Sequence, residues 1–244
     1  ATGCVVVTGA GRGFCAGGDL KQGGGERGGG ANREAGGRVE QGYTRLRRHM
    51  ESSRLLHEMP KPTIAMVNGP VAGAGIGIAG ACDLRFAGRA ATFLSAFERI
   101  GAGGDFGSTW FWTRILGTGV ARELFMLSEK LTAEEAFAKG IYTKLFDDDA
   151  LREETMKVAH KLANGPRMGY RYMKKNLNRA EDAAFEAALD HDPGERGDLE
   201  SGKGHQGRMN EGYIALKLDV AGALPADVAG DQPKAPLDIR KSGS

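Results

Sequence analysis

The chain has no apolar run of about 18 residues, the length a membrane-spanning helix needs. It also does not open on a basic stretch followed by an apolar one, so no secretion signal is expected. Cysteine is scarce: Cys4, Cys15 and Cys82 cannot all pair, and no C-x-x-C occurs. Neither a disulfide framework nor a zinc site is indicated, and a reduced, cytoplasmic compartment is the expectation. An excess of charge of one sign is lacking too. Lys+Arg 33 against Asp+Glu 31 leaves +2, no basis for a nucleic-acid or anionic-membrane surface. His49, His57, His160, His191 and His205 form no spaced constellation, so no catalytic triad and no metal site is read here. Aromatics are only 7%, and aliphatic side chains must supply most of the core.

What is present suits a globule. The 244 residues are 41% hydrophobic and 26% charged, enough for one large domain or two small ones. Glycine stands out: 39 residues are roughly twice the usual share of about 7%. Such a surplus is either flexible filler or a set of loops in which the backbone itself meets a ligand.

Along the chain, Cys4–Thr8 reads as a buried β-branched strand closed by Gly9, with no lead-in before it. GAGRGFCAGG (9–18) follows as a glycine-rich loop. GGGERGGGANREAGG (23–37) has no apolar anchor and reads as a mobile loop. Val39, Tyr43, Leu46 and Met50 recur at helical spacing, predicting an amphipathic helix that runs on through Leu56 and stops before Pro60 and Pro62. Thr63–Val67 is a second buried strand, Asn68-Gly69-Pro70 a turn, and VAGAGIGIAGACDL a small-residue helix. Cys82–Phe86 and Thr92-Phe93 read as extended, 99–109 as another glycine-rich loop, and Trp110–Leu116 as an apolar pattern resuming. Thr132 and Glu135 bracket a capping box. Ile141–Phe146 is strand-like. Asp147 to Asp149 place negative charge at the start of the next helix, which ends at Asn164-Gly165-Pro166. Further helices are expected over 167–178 and 180–191. The pattern weakens from Pro193, and 223–244 reads as a disordered tail. The order implies an α/β fold with helices covering a sheet.

Two loops could carry chemistry. Gly9-Ala10-Gly11 suggests a dinucleotide site, but the third glycine of G-x-G-x-x-G is replaced by Phe14, and no acidic residue ends a second strand about 20 residues on. Alternatively, Gly17-Gly18 and Gly73-Ala74-Gly75 each follow a buried strand. Two N–H groups, one from each loop, could converge on a single oxygen and stabilise charge developing on a carbonyl; tight packing of small residues is the plainer alternative. Asp105, in a glycine-rich loop, reads by itself as a turn or capping carboxylate.

VVVTGAGRGFCAGGDL (5–20) and KPTIAMVNGPVAGAG (61–75) resemble the enoyl-CoA hydratase/isomerase, or crotonase, family. ACDLRFA (81–87) and R-I-G-x-x-x-D-x-G-S-T-W (99–110) extend the resemblance in the same order, so that it covers about residues 4–190. It implies a crotonase-like spiral of ββα units over 1–140, without the family's first strands, then a C-terminal helical region over 141–222 that builds a homotrimer or hexamer. It implies acyl-CoA thioester substrates, with coenzyme A arriving as part of the substrate and no separate cofactor. By position, the backbone N–H groups of Gly18 and Ala74 would form the oxyanion hole, and Ala16 and Lys21 would meet coenzyme A.

The family's hydratases position water with two glutamates. Here those positions fall on Gly77 and Phe97. Glu98 is one residue late, which on a strand would turn it to the opposite face. Asp105 and the G-S-T-W after it instead resemble the branch of ring-epoxide and dienoyl-CoA isomerases of phenylacetate degradation, in which an acid at this position shuttles the proton. A lipophilic pocket of Phe97, Phe106 and Trp110 would raise its pKa. The expected activity is therefore an enoyl-CoA double-bond shift through a thioester enolate. The alternatives are a 2-enoyl-CoA hydratase with a rearranged acid/base set, a non-catalytic acyl-CoA-binding subunit and, more distantly, a dinucleotide-binding module. Asp19, Arg12, Cys15, Cys82, Trp110 and Trp112 have plain structural readings as a backbone-pairing carboxylate, a solvated cation, small buried fillers and core aromatics.

Overall fold

The protein is described from a computed structural model over residues 2–18, 35–182 and 213–218, with the backbone alone for 35–43 and 213–218. Its main sheet contains β1 (Cys4–Gly9), β2 (Thr63–Val67), β4 (Leu84–Gly88), β7 (Lys144–Phe146) and β8 (Tyr213–Leu218) in the order β7-β4-β2-β1-β8. Every pairing in it is parallel, with Val5 opposite Thr63 and Ile64 opposite Leu84. A smaller sheet, β3-β5-β6, holds β3 (Val71–Ala72), β5 (Thr92–Leu94) and β6 (Leu131–Thr132). The helices are α1 (Ala35–Glu58), α2 (Ala74–Ala81), α3 (Ser108–Met126), α4 (Ala133–Ala138), α5 (Leu151–Ala163) and α6 (Arg167–Ala180).

The central strands are buried and mostly apolar because both faces of a parallel sheet are covered. Val5, Val7, Ala65 and Val67 join a core with Leu56 of α1, Ile76 and Ile78 of α2, and Phe111 and Trp112 of α3. Cys4, Val6, Ile64, Met66 and Phe86 point the other way and pack on Leu151, Ala159 and Ala163 of α5. The period of two along each strand divides these residues between the two layers.

Two buried cations tie the layers together. Lys174 of α6 donates to the Leu56 and Lys61 carbonyls at 2.8 and 3.2 Å and to Asp83 Oδ2 at 2.9 Å. Asp83 Oδ2 also accepts from the Thr63 amide and hydroxyl. Arg85 donates to the Ile141 and Cys82 carbonyls at 3.0 and 2.7 Å, and burial lowers its pKa. Such groups are tolerated inside because their donors are matched by acceptors.

Two expectations are corrected. The strand read from Cys82 begins at Leu84, because Cys82 still closes α2. The strand-like run from Ile141 pairs only from Lys144; Ile141 and Tyr142 are buried in the core instead, and the Thr143 amide reaches the Arg85 carbonyl at 2.7 Å. Asp147 to Asp149 stand directly ahead of α5, as expected, and two of them also reach across the fold: Asp147 pairs with Arg89 at 2.7 Å and Asp148 accepts from the Ala90 amide at 3.0 Å, pinning the β4–β5 turn. The capping box is present, with Thr132 Oγ1 accepting from the Glu135 amide and Glu135 Oε2 accepting from the Thr132 amide. Within 141–222, expected to be helical, residues 144–146 and 213–218 are strands of the main sheet. Lys21, Asp19, the glycine run before residue 35, most of the 180–191 helix and the 223–244 tail lie outside the described residues.

Candidate functional site

β1 and β2 run parallel, so the loops leaving them emerge at the same end of the sheet. Backbone bonds then bind the two loops together. Phe14 N donates to the Pro70 carbonyl at 3.0 Å and Ala72 N to the Cys15 carbonyl at 2.8 Å, and Cys15 forms a parallel bridge with Val71. Asn68 fastens the base: its Oδ1 accepts from Gly9 N at 3.0 Å and its amide donates to the Gly11 carbonyl at 2.9 Å. The sequence shows Asn68 only as a turn residue, and nothing in its spacing marks it as a clamp.

The stitching brings Gly17 against the start of α2. A side chain on Gly17, at φ 90°, would lie 3.5 Å from the Ala74 nitrogen and 3.5 Å from Gly73 Cα. At Gly18, the next residue, a side chain would meet nothing within 4 Å among the described residues. Ala74 is the first residue of α2, where N–H groups have no partner inside the helix. Ala16 is exposed on the same loop. Cys15 is a buried free thiol whose pKa burial raises.

A third loop closes on this place. Gly104, Phe106 and Gly107 all have left-handed backbone, with φ 99°, 50° and 71°. For Phe106 that is a strained conformation of the kind the surrounding structure must enforce. Its backbone seats against α2: a methyl group on Gly77 would lie 2.6 Å from Phe106 Cβ and 2.7 Å from the Phe106 carbonyl oxygen. Asp105 precedes it. Its Oδ1 is sealed from solvent with no hydrogen-bond partner among the described residues, and burial raises its pKa above the usual carboxylate range. The electrostatic influence of Asp105 extends to Cys15 and so to the first loop. Ser108 Oγ, one turn on at the start of α3, is likewise buried without a partner among the described residues. A buried carboxylate left unsatisfied is costly, which makes the position a candidate for chemistry rather than for stability.

The aromatic residues separate. Phe106 and Trp110 line a cavity of about 1000 Å³ between α1, α3 and α6, together with Met50, His57 and Phe111. Phe97 is not on that wall. It is 4% exposed and stacks on Phe125 at 5.9 Å within the core. Glu98 opens a 3-10 turn rather than a strand, so strand alternation does not decide its direction; it is exposed beside Arg99. Trp112 is wholly buried and donates to the Ile76 carbonyl at 3.1 Å. His57 presents its ring edge-on to Trp110 and Phe111, and burial lowers its pKa. In the sequence it stands as one of five histidines without a spaced constellation, and its place between the two rings has no local signal.

Comparison with known proteins gives the family. Residues 1–206 match the family model described as enoyl-CoA hydratase/isomerase. The chain is 37% identical over 187 residues, 77% of its own length and 69% of the relative's, to 1,2-epoxyphenylacetyl-CoA isomerase of Escherichia coli K12. It is 30% identical over 193 residues, 78% of its length and 66% of the relative's, to 4-chlorobenzoyl coenzyme A dehalogenase-1 of an Arthrobacter species. The crystal structure of an enoyl-CoA hydratase from Bacillus anthracis is similar at a TM-score of 0.71 and 26% identity, covering 83% of this chain and 74% of that one. With its sequence matching over residues 1–206 and its fold matching as well, the chain belongs to the enoyl-CoA hydratase/isomerase family.

Proposed function

We propose that the protein is an enoyl-CoA isomerase that moves a double bond through a thioester enolate. Isomerase, hydratase and dehalogenase are all represented among the named relatives, so the choice among them rests on the site. The observation that carries it is Asp105: a single carboxylate, one oxygen sealed and unpartnered, in a strained loop held against the small-residue helix α2. No second carboxylate stands at the family's two glutamate positions, which are Gly77 and Phe97.

The steps balance with that one group. The Asp105 carboxylate removes a proton from C2 of a 3-enoyl-CoA, and the C–H electron pair forms the dienolate, placing negative charge on the thioester oxygen. The N–H groups of Gly18 and Ala74 hold that oxygen; a preorganised donor of this kind is worth about 3 kcal/mol of barrier. The Asp105 carboxylic acid then returns the proton at C4, leaving a double bond between C2 and C3. Burial helps both halves, because a raised pKa brings the group closer to the poor acid it must deprotonate and lets it retain the proton between steps. Coenzyme A contacts belong to the exposed loop at Ala16 and to Lys21. A homotrimer or hexamer goes with the family reading. The test is turnover of 3-enoyl-CoA and 2-enoyl-CoA by wild type and by Asp105→Ala. Wild type is expected to convert the first without accumulating a 3-hydroxyacyl product, and the variant to lose about 100-fold or more. Isomerisation by the variant at the wild-type rate would refute the role of Asp105.

A further inference from the structure

We infer that Gly77 is a positioning residue for the reaction: the absence of a side chain at this point of α2 admits the backbone of Phe106 and thereby sets Asp105 in place. The inference rests on the isomerase reading above and adds to it a residue with no chemistry of its own. Its ground is steric. A β-carbon at position 77 would stand 2.6 Å from Phe106 Cβ, 2.7 Å from its carbonyl oxygen and 3.1 Å from its carbonyl carbon. Two of those three atoms are backbone, so no rotamer change of Phe106 relieves the overlap. Neither partner can readily give way. Gly77 lies mid-helix and is buried, with buried neighbours on either side, and Phe106 already occupies a left-handed conformation at φ 50° between Gly104 and Gly107. Ser108 N donates to the Asp105 carbonyl at 2.9 Å and starts α3, so the turn is anchored behind as well as in front. A substituent at 77 must move residue 106, and Asp105 is covalently attached to it.

The same contact bears on which reaction is open to the site. Position 77 is one of the two at which the family's hydratases carry a water-positioning glutamate, and here that space is occupied by Phe106. Seating Asp105 in this way and holding a carboxylate at 77 are mutually exclusive, so the substitution Gly77→Glu would dislodge one acid in order to install another.

The experiment measures kcat and KM for 3-enoyl-CoA isomerisation across pH, with thermal melting, for wild type, Gly77→Ala and Asp105→Asn. Gly77→Ala is expected to lower kcat about tenfold or more, since a displacement on the order of 1 Å costs up to about 100-fold, with KM little changed. It should also move the acidic limb of the pH profile down, because an Asp105 shifted outward is less buried and ionises more easily. The ionisable neighbour sharing that field among the described residues is Cys15. A merely structural role for Gly77 would lower the melting temperature without moving the limb. If Gly77→Ala does not fold, the double variant Gly77→Ala/Phe106→Gly carries the test against Phe106→Gly alone: it takes away the contact to Cβ and leaves the overlap with the carbonyl oxygen of residue 106, so the fall in kcat and the shift of the limb are expected to persist. Wild-type kcat and pH profile in a folded Gly77→Ala, or equal values in the double variant and Phe106→Gly, overturn the inference. An active Asp105→Asn would instead overturn the isomerase reading beneath it, so the two failures are distinguishable.

Discussion

Asp105 stores a cost that function explains. Its carboxyl is held neutral more readily in the folded chain than in the unfolded one. Below the ordinary carboxylate range both states are protonated and the group costs little. As pH rises through that range the unfolded chain ionises first, and the stability present at low pH is lost as pH climbs toward the raised folded value. Asp105→Asn removes this titration. The variant is therefore expected to melt higher than wild type at pH 7, by about 2–4 °C for each kcal/mol relieved in a chain of this size, and to match it near pH 3. A variant that melts lower at pH 7 and equally at all other pH values would mean that Asp105 is a structural partner. In sequence this residue was legible as a candidate only through the motif around it. Its burial and its unpartnered oxygen depend on the left-handed turn at Phe106, a backbone state that residue type alone argues against. Phe97, by contrast, was expected on the pocket wall and is core: an apolar side chain beside a site looks the same in sequence whether it faces substrate or Phe125.

At the scale of the elements, α6 is fastened to the sheet by Lys174, whose ammonium satisfies the Leu56 and Lys61 carbonyls and Asp83. Removing one partner leaves the other buried and unmatched. Lys174→Met is expected to cost about 3 kcal/mol, less than the fully buried limit because Asp83 retains some exposure, and Asp83→Asn in the same chain is expected to restore part of it. Equal melting temperatures for wild type and Lys174→Met would contradict this. Helix positions were readable because apolar spacing, prolines and the Thr132–Glu135 box are local signals. Lys174 was not, since nothing near it in sequence foretells acceptors more than 100 residues away. The acidic run at 147–149 was legible as charge ahead of a helix start, but its pairing with Arg89 and the Ala90 amide was not, because the fold brings those groups alongside from some 58 residues away.

For the whole molecule, the parallel sheet delivers two loop ends to one edge, and the Cys15–Val71 bridge sews them together. The small residues that looked like filler in a count of glycines are, at Gly17 and Gly77, the points where backbone meets backbone. A strand at 213–218 beside β1 had no counterpart in the reading of a weakening pattern after Pro193, because strand pairing across some 200 residues leaves no local trace. On the proposed mechanism, this convergence lets Asp105 take a proton from the carbon next to a thioester. The most direct test is exchange of the C2 protons of a saturated acyl-CoA in D2O, followed by NMR, with binding measured in parallel. Wild type is expected to incorporate deuterium at C2, and Asp105→Asn to bind the thioester yet exchange about 100-fold more slowly. Exchange by Asp105→Asn at the wild-type rate would rule out Asp105 as the base.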